Sequence, residues 1–167
     1  MAILAKDVMT VPVITVKADT PLKRAAEILD ENFFSGMPVV NDADKLVGII
    51  SETDILRYTQ QIIGQPLRDP HRVFTKSQEV LHIDITRRGV EVIELVAATT
   101  VETLMTTDVI YVVEDAPFHK VISLMYENNI NRIPVVDSNG ELKGIITRAD
   151  IIRILVDSWS DSFDCKF

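Results

Sequence analysis

"GIISETDIL" (48–56) and "GIITRADII" (144–152) are one phrase written twice. Each reads Gly, two isoleucines, a hydroxyl residue, two variable positions, an Asp and then further apolar residues. A short apolar run that ends in a hydroxyl, with an acid three residues later, predicts a buried strand passing into a helix. The two phrases lie 96 residues apart, and the likeness extends beyond them. Adding 96 to each number from Asp7 to Thr59 gives Thr103 to Leu155 without a gap, with 19 identities over 53 positions. Chance predicts about 3, at roughly 6% per position for average composition. The chain is an internal duplication, and that decides its fold.

Working outward, each copy reads as strand, helix, strand, strand, helix. "VITV" (13–16) and "VIYVV" (109–113) are short β-branched runs. The next stretches, "DTPLKRAAEILDEN" and "DAPFHKVISLMYENN", place Pro21 and Pro117 in a first helical turn. Thr20 is expected to cap the first helix and Asp115 the second, where Ala116 replaces the hydroxyl. Leu22, Ala25, Ala26 and Leu29 match Phe118, Val121, Ile122 and Met125 at helical spacing, which predicts one apolar face in both copies. "MPVV" and "IPVV" predict strands whose proline belongs at the beginning or on an edge. "NDADK" and "DSNGE" turn the chain, the second with an Asn139-Gly140 hairpin signal, and "LVGII" and "LKGII" return as the third strand. A unit of about 55 residues buries too little surface to be comfortable alone. Two copies packed sheet to sheet are therefore expected to share one core.

Composition narrows the function. Of 167 residues, 47% are apolar and 25% charged, which is a globular balance. The net charge of −8 disfavours a nucleic-acid partner. No apolar run approaches the roughly 20 residues that span a bilayer, and the N-terminus is too short in its apolar part for a secretory signal. The single cysteine, Cys165, excludes an internal disulfide and a cysteine-based zinc site. The expectation is a cytoplasmic protein. His71, His82 and His119 lie in three separate segments without ligand spacing, so no metal site is expected. No Gly-rich phosphate loop or Cys/His couple is present, and Ser51 or Thr147 has no base in plausible reach. No catalytic residues are expected, and the chain reads as a non-enzyme.

Two β-α-β-β-α units, each with "MT" at its start, "xPVV" at its second strand and "GII[ST]xxD" at its third, resemble a pair of CBS domains, the arrangement called a Bateman module. The resemblance covers 7–59 and 103–155. It implies an α+β fold of two repeats packed as a pseudo-twofold pair: a first repeat over 1–62, an intervening segment over 63–98, and a second repeat with its tail over 99–167. It also implies a stand-alone regulatory module that senses an adenosyl ligand (AMP, ADP, ATP or S-adenosylmethionine) in clefts between the repeats. A homodimer and a regulated protein partner are implied too. The alternative is a ligand-free scaffold for dimerisation and interaction.

The residues of the repeated phrase admit two readings. The hydroxyl and the acid can cap the last helix. They can also hold phosphate oxygens and ribose hydroxyls at a helix N-terminus. In CBS pairs that bind adenosyl ligands, this Asp typically contacts ribose, while the first strand and the "xPVV" entry lie against the adenine. Carried over, the first cleft takes Thr10, Val13 and Ile14, then Met37 and Pro38, then Ser51 and Asp54. The second takes Thr106, Val109 and Ile110, then Ile133 and Pro134, then Thr147 and Asp150. The copies differ in charge: Gly36 and Glu52 match Arg132 and Arg148. Arginine supplies donors and charge in a fixed fork, so the second cleft is expected to be the better phosphate site. Ion pairing with Glu141 is the competing reading of Arg132 and Arg148. Between the copies, residues 60–100 carry five basic and five acidic residues. The stretch from Gly89 can open as strand, which Val90, Val92 and Ile93 favour, or as helix, which Glu91, Glu94 and Leu95 tolerate; helix is expected, with a capping box at Thr99-Thr100-Val101-Glu102 before a short helix. Arg87-Arg88 fit a solvated loop or a phosphate contact, and Trp159, Phe163 and Phe167 a frayed tail or a partner contact.

Overall fold

The computed structural model describes residues 3–63, 94 and 96–163. In chain order the elements are α1 (Ala5–Val8), β1 (Val16–Lys17), α2 (Leu22–Asn32), β2 (Gly36–Val40), β3 (Leu46–Ser51) and α3 (Glu52–Ile63). After a 3-10 helix (Val101–Thr103) come β4 (Val112–Val113), α4 (Phe118–Glu127), β5 (Arg132–Val136), β6 (Leu142–Thr147) and α5 (Arg148–Phe163). The strands form two sheets, ordered β1-β2-β3 and β4-β5-β6. In the second, β4 runs parallel to β5 and β5 antiparallel to β6. Both repeats therefore build the expected β-α-β-β-α unit.

The chain divides into two compact units that do not follow the copy boundaries. One holds residues 1–14, 40–46 and 108–167; the other holds 15–39 and 47–107. Each copy's leading segment is built into the other copy's unit. At the N-terminus, Ala5 and Lys6 donate their N–H groups to the carbonyls of Ala116 and Glu114 at 2.8 and 3.0 Å. Lys6 Nζ reaches Asp115 Oδ1 at 2.6 Å, which raises the lysine's pKa through that hydrogen bond and charge. In the other unit, Val101 and Glu102 donate to the carbonyls of Thr20 and Ala18 at 3.0 and 2.8 Å.

The buried apolar residues form two clusters, one per unit, so the expectation of one shared core is corrected. One cluster joins Ala5 to Val112, Val121, Met125, Ile133, Val135, Ile146 and Ile151. The other joins Val16, Leu22, Ala25, Leu29, Met37, Val39, Ile50 and Val101. Each imports one small residue from the opposite leading segment, Ala5 in one case and Val101 in the other. A fully buried Val, Leu, Ile or Met contributes about 1.5–3 kcal/mol, set against the entropy of ordering the chain.

Local details refine the sequence reading. The helix stripe is present, with Leu22, Ala25 and Leu29 buried on α2 and Val121 and Met125 on α4, but Ile122 is partly exposed. Neither predicted cap forms. α2 and α4 begin after Pro21 and Pro117, without a side-chain cap. Thr20 Oγ1 instead accepts from Lys17 N at 3.1 Å, and Asp115 is taken by Lys6. Thr100 likewise makes no cap to the 3-10 helix. The first strands are shorter than predicted, Val16–Lys17 and Val112–Val113, and ahead of them Thr10 bridges Ile145 and Thr106 bridges Ile49. β5 is central rather than an edge, yet β4 reaches only Val135 and Val136, so Pro134 faces no β4 partner. In the β5–β6 hairpin, Gly140 takes φ +80 and Asp137 Oδ1 accepts from the N–H groups of Asn139 and Glu141. Burial pushes the Asp137 carboxyl up, but those N–H groups and Lys143 more than reverse it, leaving its pKa lowered. Of the 89–98 stretch, only Glu94 and residues 96–98 are described, and they are helical.

Candidate functional site: two capped hydroxyl-carboxylate couples

The two phrases fold alike because the same chain geometry recurs. In each, a strand with a buried glycine and a buried isoleucine runs straight into a helix, with no connecting loop. At the junction, Ser51 N and Ser51 Oγ both donate to Asp54 Oδ2, at 3.0 and 2.5 Å, and Asp54 N donates back to Ser51 Oγ at 3.3 Å. Thr147 and Asp150 repeat this at 2.8, 2.6 and 3.3 Å. These are capping boxes with Asp in the place Glu or Gln more often takes. The capping reading is thus realised in the geometry, and it fixes where the hydroxyl and the carboxylate sit.

The remaining carboxylate oxygens differ. Asp54 Oδ1 lies 3.6 Å from Arg57 Nη1. Asp150 Oδ1 accepts from Arg153 Nη2 at 2.7 Å and from Thr10 Oγ1 at 3.3 Å. Asp150 is 5% exposed, the only charged residue buried among the described residues, and four donors account for its burial. Arg57 and Arg153 were not singled out from the sequence. The signal was available: both are identical in the two copies and stand three residues past the acid, one helical turn away.

The grouping of site residues differs from the sequence expectation at the leading segments. Thr10 was assigned with Ser51 and Asp54, yet its hydroxyl stands beside Asp150. Its N–H donates to Ile145 O at 2.8 Å and its carbonyl accepts from Ile145 N at 3.2 Å. Thr106 was assigned with Thr147 and Asp150, yet it makes the matching pair with Ile49 at 2.9 and 3.0 Å, two residues before Ser51. Val13, Ile14, Val109 and Ile110 fall in the unit of Thr147 and Asp150, all half-buried except the more exposed Ile14. Met37 and Pro38 share the unit of Ser51 and Asp54, and Ile133 and Pro134 that of Asp150. All four are buried, and Met37 and Ile133 belong to the two core clusters.

The second couple has cations close by in its own unit. Arg132 lies opposite Thr147 in the β5–β6 register. Arg148 donates through Nε to Ile130 O and through Nη2 to Asn129 Oδ1, both at 3.2 Å. Glu141 is engaged by Lys143 Nζ at 2.6 Å, so its ion pair is with Lys143 rather than Arg148. At the matching places the first copy has buried Gly36 and half-buried Glu52. Among the described residues no group of three metal-ligating side chains occurs, and His119 is exposed on α4. His71, His82, Arg87 and Arg88 lie outside the described residues, as do the side chains of Trp159, Phe163 and Phe167. No described helix is long and apolar enough to cross a membrane.

Two copies of one unit, each closing its third strand on a hydroxyl-carboxylate box, define the class. A family model described as the CBS domain matches residues 5–60 and 101–157, and the chain belongs to that family. It is 34% identical over 158 residues to the uncharacterized protein MJ1426 of Methanocaldococcus jannaschii, covering 92% of this chain and 91% of that one. Several further curated relatives are longer, and the chain spans between 23% and 57% of their length. Among solved structures it resembles the CBS domain pair of protein MJ0100 in complex with 5'-methylthioadenosine and S-adenosyl-L-methionine. That match has a TM-score of 0.67 at 28% identity and covers 95% of this chain and 99% of that one. It also resembles CBSX2 in complex with AMP, with a TM-score of 0.68 at 26% identity over 92% and 96% of the two chains.

Proposed function

We propose that this chain is a regulatory module that binds an adenosyl ligand at its hydroxyl-carboxylate couples and does no chemistry on it. The observation that carries the reading is the Thr147–Asp150 box with Thr10 drawn onto it. Two hydroxyls and a buried carboxylate converge at the N-terminus of α5, whose dipole and first-turn N–H groups favour a phosphate. Arg132 and Arg148 add positive charge to that unit, which favours an adenine nucleotide there over S-adenosylmethionine. The first couple has Glu52 instead and suits a less anionic adenosyl ligand. The likeness to pairs crystallised with AMP and with S-adenosylmethionine supports the ligand class. The module would act in the cytosol as a homodimer, with ligand binding shifting an equilibrium that a protein partner reads.

Calorimetry with AMP and ATP on single variants is the test. Asp150→Ala is expected to abolish nucleotide binding, and Asp54→Ala to leave it within about twofold. The reverse pattern would sink the site assignment. A second reading, a ligand-free scaffold, is favoured by the capping boxes themselves, which account for both carboxylates without a ligand. A thermal-shift series with AMP, ADP, ATP, 5'-methylthioadenosine and S-adenosylmethionine separates the two. A ligand at 100 times its Kd adds about 2.7 kcal/mol of stability, whereas a scaffold shows no shift with any of them.

A further inference from the structure

The Asp150 carboxylate has no acceptor site to spare. An ionised carboxylate offers about four lone-pair sites, two on each oxygen. Thr147 fills both on Oδ2, with its N–H at 2.8 Å and its hydroxyl at 2.6 Å. Oδ1 accepts from Arg153 Nη2 at 2.7 Å and from Thr10 Oγ1 at 3.3 Å. These contacts are unequal. The Arg153 bond is short and joins two charged groups, which makes it the stronger kind. The Thr10 bond comes from a neutral hydroxyl and is the longest of the four, beyond the usual O–H···O distance of about 2.7–2.8 Å. It is the one that yields first.

Thr10 is held in place by other means. Its N–H donates to Ile145 O at 2.8 Å, and its carbonyl accepts from Ile145 N at 3.2 Å. Met9 lies across Gly144, where an added Cβ would stand 2.6 Å from Met9 Cγ. The leading segment therefore stays seated when the hydroxyl turns away from Asp150. Thr10 is exposed, so the released hydroxyl finds water and is not left unpaired. The first couple is built differently. Thr106 makes the matching backbone pair with Ile49, but among the described residues its hydroxyl is not bonded to Asp54. Only one of the two carboxylates carries a hydroxyl from a leading segment.

We propose that Thr10 is an internal competitor for the ribose: its hydroxyl holds the acceptor site on Asp150 Oδ1 that a ribose hydroxyl must take, and so lowers the affinity of the second couple alone. The inference rests on the adenosyl reading and adds to it a residue that sets affinity by opposing the ligand. A ribose hydroxyl and the Thr10 hydroxyl are the same chemical donor, so entry of one is an exchange that needs a single side-chain rotation. Calorimetry on the full chain tests this, with AMP as probe and, as control, a dideoxy analogue of AMP that lacks both ribose hydroxyls. Thr10→Val keeps the side chain's shape without the donor, and Thr10→Ala removes the donor in a smaller side chain. Both are expected to bind AMP about three- to tenfold more tightly than the wild type, the scale of one hydrogen bond exchanged. Thr10→Ser restores the hydroxyl and should bind as the wild type does. The dideoxy analogue should bind all of these proteins alike, a pattern that a merely structural role for Thr10 would not produce. Hydrogen exchange at the Ile145 amide should be unchanged in Thr10→Val. Lost protection there would mean that the hydroxyl itself seats the segment, and would overturn the proposal. Equal or weaker AMP binding by Thr10→Val, or an equal gain with the dideoxy analogue, would overturn it too. If Asp150→Ala abolishes AMP binding while Thr10→Val leaves it unchanged, the adenosyl reading stands and the role of Thr10 falls. If neither the wild type nor any Thr10 variant binds AMP, both fall.

Discussion

Asp150 places a carboxyl group where only 5% of the residue meets solvent, and each of its contacts has a reason. Thr147 supplies two donors to one oxygen, and Arg153 and Thr10 supply one each to the other. A ribose hydroxyl seeking Oδ1 must share it with Arg153 or displace Thr10, whereas among the described residues Asp54 Oδ1 faces the longer contact to Arg57. The second couple is thus the more tightly held and the more cationic of the two. Removing the Thr147 hydroxyl tests how much of that geometry is capping. Thr147→Val keeps the β-branched shape of the strand end and is expected to cost about 1 kcal/mol in urea denaturation, within the roughly 0.5–2 kcal/mol of a lost cap. Thr147→Ser should recover most of it.

Among the elements, the strand-to-helix junctions were the most legible in the sequence, because apolar residues, hydroxyl and acid stand in one uninterrupted order. Both third strands and both last helices form there, with matching burial along the strands. The helix caps were not legible. Thr20 and Asp115 are good capping types, but Lys17 and Lys6 compete for them, and a competitor 109 residues away leaves no local trace. The strand glycines had a purpose visible only in three dimensions. A Cβ on Gly144 would overlap Met9 Sδ and lie 2.6 Å from Met9 Cγ, and one on Gly48 would lie 2.6 Å from Met105 Sδ. Each leading methionine lies across the glycine of a third strand, which is why "MT" and "GII" travel together. Gly144→Ala is expected to destabilise by about 1–3 kcal/mol, since Met9 Cβ, 2.9 Å from the added carbon, cannot yield as a free side-chain end would. Pairing it with Met9→Ala should recover part of the loss, a coupling that a double-mutant cycle measures.

For the molecule as a whole, the duplication, the α+β class and the family were readable from 19 identities and three signatures. The exchange of leading segments was not, because periodicity and propensity speak for neighbours in sequence and the exchange joins residue 5 to residue 116. That is the physical reason the contacts of Thr10 with Asp150 and Ile145, and of Thr106 with Ile49, cross the copies and leave no trace in the sequence. The exchange makes a distant residue decisive. Ala5 is fully buried in the cluster of Ile133, Val135 and Ile146. Ala5→Glu should therefore lower that unit's stability by about 2 kcal/mol or more, as an unpaired charge in a core does. Hydrogen exchange would show the amides of β5 and β6 losing protection while Val39 and Ile50 keep theirs. Equal loss in both units would contradict two separate cores.

The same exchange sets an order of events on the ribosome. The unit of residues 15–39 and 47–107 has all its parts once residue 107 has emerged, so it can fold while synthesis continues. The first fourteen residues have no such early home. Their partners lie at 114–118 and 145–150, so this segment finds its place only after those much later residues are made. The closing of the second unit is a long-range step, slow relative to local hairpins.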